Sequence, residues 1–352
     1  MSAPLETARG ARTADPFVVY VANADSADIA VLALDRNDGA LAEIERFATG
    51  GMVMPLALQP DRRVLYASIR SEPHRVLSLS IEPRSGRLAQ LGSAPLPASM
   101  CWISTDRTGR FLLSASYGSS LVAVSPIDAD GVARAAQQVV STEEKAHSIQ
   151  VDPANRFAFA ACLGGGVVRQ MRFDAATGTL CDNEPPAWHA RTGAGPRHFV
   201  FHPLAPFVFL LNELDATIDT LAFDRERGTL RTVSTVPMLP PGFAGGAPWA
   251  AELHVTPDGR FLYASERRSS TLVSYTVDAA TGALAPLASI ATEKEPRGFA
   301  LSPDGRFLVA VGQASHRLSH YAIDGATGAL SKLGERRVGA NPNWVEIVDL
   351  AR

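Results

Sequence analysis

The chain has 352 residues, with 33 Lys and Arg against 36 Asp and Glu and a formal net charge of -3. A polyanion-binding surface is not expected, and nucleic acid is a poor partner. Hydrophobic residues make up 46% and charged residues 20%, which excludes wholesale disorder and leaves enough apolar material for a large core.

In chain order, MSAPLETARGARTADP (residues 1–16) reads as a mobile Ala-rich tail without a signal-peptide-length apolar stretch. The three cysteines, Cys101, Cys162 and Cys181, lack metal-ligand spacing, and together these features lead us to expect a cytoplasmic protein without a disulfide framework. The strongest apolar run, Phe207 to Leu211, is far shorter than the roughly 20 residues of a spanning helix, so no membrane is expected. A first lone strand, FVVYVANA, opens the ordered region at Phe17. From there one phrase recurs, a Pro-Asp-Gly or related turn followed by a short apolar strand: QPDRRVLYASIR, TGRFLLSASYG, DPANRFAFAACL, HPLAPFVFLLNE, TPDGRFLYASER and SPDGRFLVAVGQ. Anchoring each copy on its first apolar residue gives Val18, Val64, Phe111, Phe157, Phe207, Phe261 and Phe307, with intervals of 46, 47, 46, 50, 54 and 46.

A second phrase, typified by DAATGTL, places glycines at Gly39, Gly86, Gly131, Gly178, Gly228, Gly282 and Gly328. They step by nearly the same intervals. Each unit holds about four short apolar or alternating strands, and no helical periodicity is visible. Four-stranded repeats of this length predict an all-β, seven-bladed β-propeller of antiparallel blades, one domain over residues 17–350. A tandem of β-sandwiches would lack the single period, and a helical solenoid would need helices. The last strand, NWVEIV, is also alone, so the termini are expected to share one blade.

Residues at equivalent positions in the copies should ring one mouth. Ten before the anchors lie Met54, Cys101, His147, Arg197, Ala251 and Arg297, joined by Asn343 through the likeness of GPR, EPR and NPN. The next row reads Pro55, Trp102, Ser148, His198, Glu252, Gly298 and Trp344; six after the anchors stand Ala24, Arg70, Tyr117, Leu163, Glu213, Arg267 and Gln313, preceded by a row that includes Glu266. Four arginines, three glutamates and two histidines on one end of a nearly neutral chain point to an anion-binding or catalytic pocket. The plain alternative is a wet channel with structural ion pairs. The other histidines, His74, His189, His202, His316 and His320, show no metal-ligand spacing, although His316 follows a mouth loop; no metal site and no cofactor are expected. Neither a P-loop nor a Gly-Xaa-Ser-Xaa-Gly elbow occurs.

The phrases HSIQVDPANR, GAGPRHFVFHP, LNELDATIDTL, PWAAELHVTPDGRFLYASER, EPRGFALSPDGRFLVAVGQASHRLSHY and VGANPNWVEIV closely resemble the bacterial propeller-type 6-phosphogluconolactonases. More loosely they resemble the fungal carboxy-muconate lactonizing enzymes of the same superfamily. The resemblance implies a metal-free seven-bladed propeller acting on a lactone whose acidic group is held by arginines. It also implies catalytic roles for His147, Arg197, Glu213 and Arg267. SERR departs from the family's acidic-Arg-polar phrase by a second basic residue, Arg268. Arg70, His198, Glu252, Glu266, Arg297, Gln313 and Asn343 are the expected substrate-binding set. The function expected is hydrolysis of 6-phosphogluconolactone, with a lactonase or cycloisomerase for another sugar-acid or carboxymuconate-type lactone, or a noncatalytic scaffold, as rivals.

Overall fold

The computed structural model describes residues 15–351; residues 1–14 of the expected tail lie outside the described residues. The rest folds into 28 strands, β1 to β28, arranged as seven four-stranded antiparallel sheets, with no helix among the described residues. Blade 1 is made of β28 (Pro342–Val348), β1 (Phe17–Asn23), β2 (Asp28–Leu34) and β3 (Leu41–Ala48), so the two ends of the chain share it. Val18 pairs with Val348 and Ala22 with Trp344, a backbone seam that closes the ring by joining the two ends of the chain.

In the other blades the innermost strands are β4 (Val53–Leu58), β8 (Trp102–Thr105), β12 (Ala146–Val151), β16 (Pro196–Phe201), β20 (Ala250–Val255) and β24 (Pro296–Leu301). These six and β28 neighbour one another around the central channel. The anchor phrase opens each second strand: β5 (Val64–Ile69), β9 (Phe111–Ser116), β13 (Phe157–Cys162), β17 (Phe207–Asn212), β21 (Phe261–Glu266) and β25 (Phe307–Gly312). Every residue of these strands is buried. Covered on both faces by neighbouring blades, they have no solvated side to alternate toward, which is why they read as unbroken apolar runs. Outermost strands such as β23 (Leu284–Ala291) are largely exposed.

The two repeated phrases prove to be halves of one contact. Each turn glycine adopts a positive φ between 65° and 81°, and each sits against the anchor of the preceding blade. A Cβ on Gly228 would lie 2.1 Å from Phe157, and one on Gly86 would lie 2.6 Å from Val18. Gly39 meets Phe307 across the chain closure in the same way. Three tyrosines two residues beyond their anchors fasten this contact: Tyr20, Tyr66 and Tyr263 donate their hydroxyls to the carbonyls of Gly86, Gly131 and Gly328 at 2.8, 2.9 and 2.8 Å. The matching intervals of the two phrases are therefore a single blade-to-blade register counted twice.

Candidate active site

The mouth row owes its direction to a fault in the sheet. The ladder between inner and second strand slips at His147, Arg197, Arg297 and Asn343, and across Met54–Pro55 and Ala251–Glu252. A bulge leaves its extra residue unpaired and re-aims the side chain. Residues with positive φ, Lys145, Gly195, Glu295 and Asn341, stand two before four of these positions and turn the chain into its inner strand. The second contributor to the mouth is the turn after each second strand, which carries Arg70, Tyr117, Glu213 and Arg267.

Three charged side chains meet at the centre. Glu213 Oε2 lies 2.7 Å from Arg197 Nε and 2.9 Å from Arg267 Nη2. Arg197 is fully enclosed and also donates through Nη1 to the Ala251 carbonyl. Arg267, almost as deeply buried, donates Nε to the Trp249 carbonyl at 3.1 Å and lies 3.9 Å over the Trp249 ring, a cation–π contact in a desolvated setting. Burial and the neighbouring guanidiniums of Arg197 and Arg297 push the Arg267 pKa well below its usual range, and Glu213 opposes them. His147 is buried beside this cluster, its ring 5.7 Å from Tyr117. Desolvation, then Arg197 and Arg297, hold its pKa well below the ordinary histidine value, so the ring is neutral at neutral pH with a lone pair available.

Arg70 and Arg297 differ from the other two arginines. Both are half-buried, and neither forms an ion pair with a carboxylate among the described residues. Arg70 donates Nε to Ser99 Oγ at 2.8 Å and touches the Met54 sulfur through Nη1; Arg297 Nε has no hydrogen-bond partner. Burial lowers the Arg297 pKa to about 10, helped by Arg197; it stays cationic at neutral pH. The mouth thus holds a core of two guanidiniums on one carboxylate and two further positive groups without a carboxylate partner, an arrangement suited to an anion next to a reacting centre.

Residues 17–347 match the family model described as "Lactonase, 7-bladed beta-propeller". The chain belongs to this lactonase family. A protein of Pectobacterium carotovorum named 6-phosphogluconolactonase is 40% identical over 95% of this chain and 99% of its own length. One of Photorhabdus laumondii with the same name is 40% identical over the same shares. Among solved structures, a periplasmic gluconolactonase of Pseudomonas aeruginosa superposes with a TM-score of 0.89 at 29% identity, covering 95% of this chain and 99% of that one. As a family member the chain is a lactone-hydrolysing enzyme.

Against the expected site of this lactonase, the structure brings His147, Arg197, Glu213, Arg267, Arg70 and Arg297 together. It sends several others elsewhere. Glu266 is fully buried with its carboxylate taken by the Trp249 amide at 2.6 Å and by the hydroxyl of Ser269 at 2.6 Å, so it braces a turn instead of facing a ligand. Gln313 donates to Asn341 Oδ1 at 2.7 Å on the rim, and Asn343 is fully buried, donating to the Asn341 carbonyl at 3.1 Å. His316 is exposed there and accepts the Asn341 amide. His198 stands one residue beyond its bulge and Glu252 is the second residue of a two-residue slip; both lie beneath the mouth, where they pair with each other at 2.9 Å. Tyr117 and Trp249 are contributors that sequence reasoning passed over. Tyr117 stood in the loop row without a charge to mark it. The 54-residue interval signals the extra residues between β19 (Thr229–Pro237) and β20, a connection that ends on Trp249.

Below the mouth the channel widens into a cavity of about 330 Å3 whose lining includes Trp102, Glu252, His254, Phe299, Trp344 and Glu346. Burial raises the pKa of Glu346 to about 7 and lowers that of His254 to about 4. The native state therefore keeps a Glu346 proton that the unfolded chain surrenders near pH 4.5, and stability attributable to it is lost as pH rises toward 7. His254 acts in the opposite sense, its share being lost as pH falls from about 6.5 toward 4. Glu346→Gln is expected to flatten the decline in Tm between pH 5.5 and 8 by a few degrees; an unchanged Tm–pH curve in thermal melts would refute this.

Proposed function

We propose that the enzyme hydrolyses 6-phosphogluconolactone to 6-phosphogluconate in the pentose phosphate pathway, in the cytoplasm. The observation that carries this reading is the pair Arg70 and Arg297, two guanidiniums without a carboxylate partner beside the Arg197–Glu213–Arg267 cluster. The names of the relatives at 40% identity support it, and the free thiols of Cys101, Cys162 and Cys181 suit a reducing compartment. In this mechanism neutral His147 takes the proton of the attacking water, and Arg267 faces the carbonyl oxygen as it gains charge. Arg197, being fully enclosed, acts by fixing Glu213 and so Arg267. Arg297 and Arg70 hold the phosphate.

The decisive test is Arg297→Ala, assayed by acid release above the spontaneous rate on phosphorylated gluconolactone, unphosphorylated gluconolactone and a muconolactone. A charged hydrogen-bonded contact contributes about 1.5 to 3 kcal/mol. KM for the phosphorylated lactone should rise roughly 10- to 150-fold, with less than a threefold change for the unphosphorylated one. Equal losses on both would remove the phosphate from the reading, and wild-type turnover of muconolactone alone would replace the substrate.

A further inference from the structure

We infer that His198 and Glu252 form a proton exit behind His147, carrying the proton released in each turnover out of the mouth and into the central channel. The inference rests on lactone hydrolysis at the mouth, as proposed above. Opening a lactone with water at neutral pH yields a carboxylate and one net proton, so whichever base takes up that proton must be emptied before the next cycle.

Electrostatics favours the inward direction. On the mouth side a proton held by His147 meets the guanidiniums of Arg197, Arg267 and Arg297, with Arg70 beyond them. On the channel side the same arginines still act on His198, but there a carboxyl group, that of Glu252, is in direct contact with the ring. His198 is buried with its ring 5.0 Å from that of His147, edge to face, and is enclosed by Trp102 at 4.6 Å and Trp344 at 6.2 Å. Its Nδ1 lies 2.9 Å from Glu252 Oε1, and Glu252 lines the cavity that Glu346 and Arg107 also line. On these two rings Nδ1 of His147 and Nε2 of His198 are buried without a hydrogen-bond partner. Orphaned buried polar atoms call for an explanation, and here they sit on adjacent rings.

The transfer balances without forming an imidazolium, which the surrounding arginines disfavour. His147 accepts the water's proton on its mouth-side nitrogen and gives up the proton on Nδ1 to His198 Nε2, directly after a small ring rotation or through one water. His198 passes its Nδ1 proton to Glu252, which turns from carboxylate to carboxylic acid; both imidazoles end neutral with their tautomers exchanged, and the cycle closes when Glu252 gives its proton to water in the cavity and the two rings regain their first tautomers by proton exchange with water. Arg197 Nη1 stands 3.2 Å from His198 Nδ1, a contact with no acceptor while Nδ1 keeps its proton. Once that proton has moved to Glu252, the bare nitrogen can accept from Arg197. The groups facing Glu252 are Arg197 and Arg297, which lower its pKa, and Glu346, which raises it; burial outweighs them and takes it to about 8, near the working pH of a relay. His198 and Glu252 are positioning residues in this scheme, since neither touches the lactone.

The test is Glu252→Gln, with His198→Gln as a second variant, on any lactone the wild type turns over. Glutamine is close in shape to the protonated acid, so folding should hold. Expected are a KM within twofold, a kcat at least tenfold lower in dilute buffer at pH 7.5, and partial recovery of kcat as imidazole buffer is raised, which the wild type does not need. The rise of wild-type kcat with pH through about 8 should vanish in the variant. An unchanged kcat and pH profile overturns the relay, as does a kcat loss that imidazole leaves untouched and that comes with a lower Tm, the mark of a packing role. A wild type inert toward every lactone instead overturns the function beneath it.

Discussion

Glu213→Gln is expected to lower kcat by roughly 100-fold or more and to destabilise the fold by about 3 to 5 kcal/mol, the range for breaking a buried ion pair by removing one partner. The reasoning is one of counting charges. A single carboxylate oxygen serves two enclosed guanidiniums, Arg197 and Arg267, at 2.7 and 2.9 Å, while burial and two like-charged neighbours already drive Arg267 toward losing its proton. Without the carboxylate, Arg267 must either become neutral or leave its seat on Trp249. Either outcome takes positive charge from the place where, in the proposed mechanism, the carbonyl oxygen develops its negative charge. Steady-state kinetics and a chemical denaturation curve measure both effects, and retention of kcat within threefold would show that the cluster is only structural.

Gly228→Val should be the most damaging substitution far from the mouth, at roughly 3 to 5 kcal/mol. Two costs add. Gly228 has a φ of +65°, where a β-branched residue carries a strain of order 1 to 3 kcal/mol. Its Cβ would stand 2.1 to 2.4 Å from three ring carbons of Phe157, a buried side chain that cannot move without opening the interface, and overpacking contributes about 1 to 3 kcal/mol more. Gly166→Ala separates the terms, since Gly166 has a φ of +64° but no atom within 4 Å of the added carbon. It should cost only about 1 to 2 kcal/mol. Similar losses in the two variants under urea denaturation would mean that the Phe157 contact carries no energy.

The ring was legible in the sequence because each blade repeats the same physical problem. An apolar second strand buried on both faces and a glycine that lets the next blade approach it leave a regular spacing that needs no structure to be read. The composition of the mouth was legible for a related reason: at a shared backbone position, copies that differ are free of the ring's packing demands, and His147, Arg197, Arg297, Arg70, Glu213 and Arg267 stood out. Depth was not legible. Row membership gives no sign that Arg197 is enclosed while Arg297 is half-open, or that His198 and Glu252 lie beneath the mouth. Those distinctions come from bulges, which depend on pairing across strands. Glu266 shows the same limit, for its partners are a backbone amide from the segment before β20 and Ser269, and no charge pattern announces a carboxylate that braces a turn.

The bulged row also bears on how such an enzyme can change its chemistry. A residue left out of the ladder can change its side chain without disturbing the strand pairing beside it, so each of the six bulged blades offers one address that can be rewritten without rebuilding the wall behind it. Two of the addresses, Met54 and Ala251, carry an apolar side chain. The ring thus works as a dial with six settings, four in polar use and two still blank, and new substrates can be sought by turning one setting at a time.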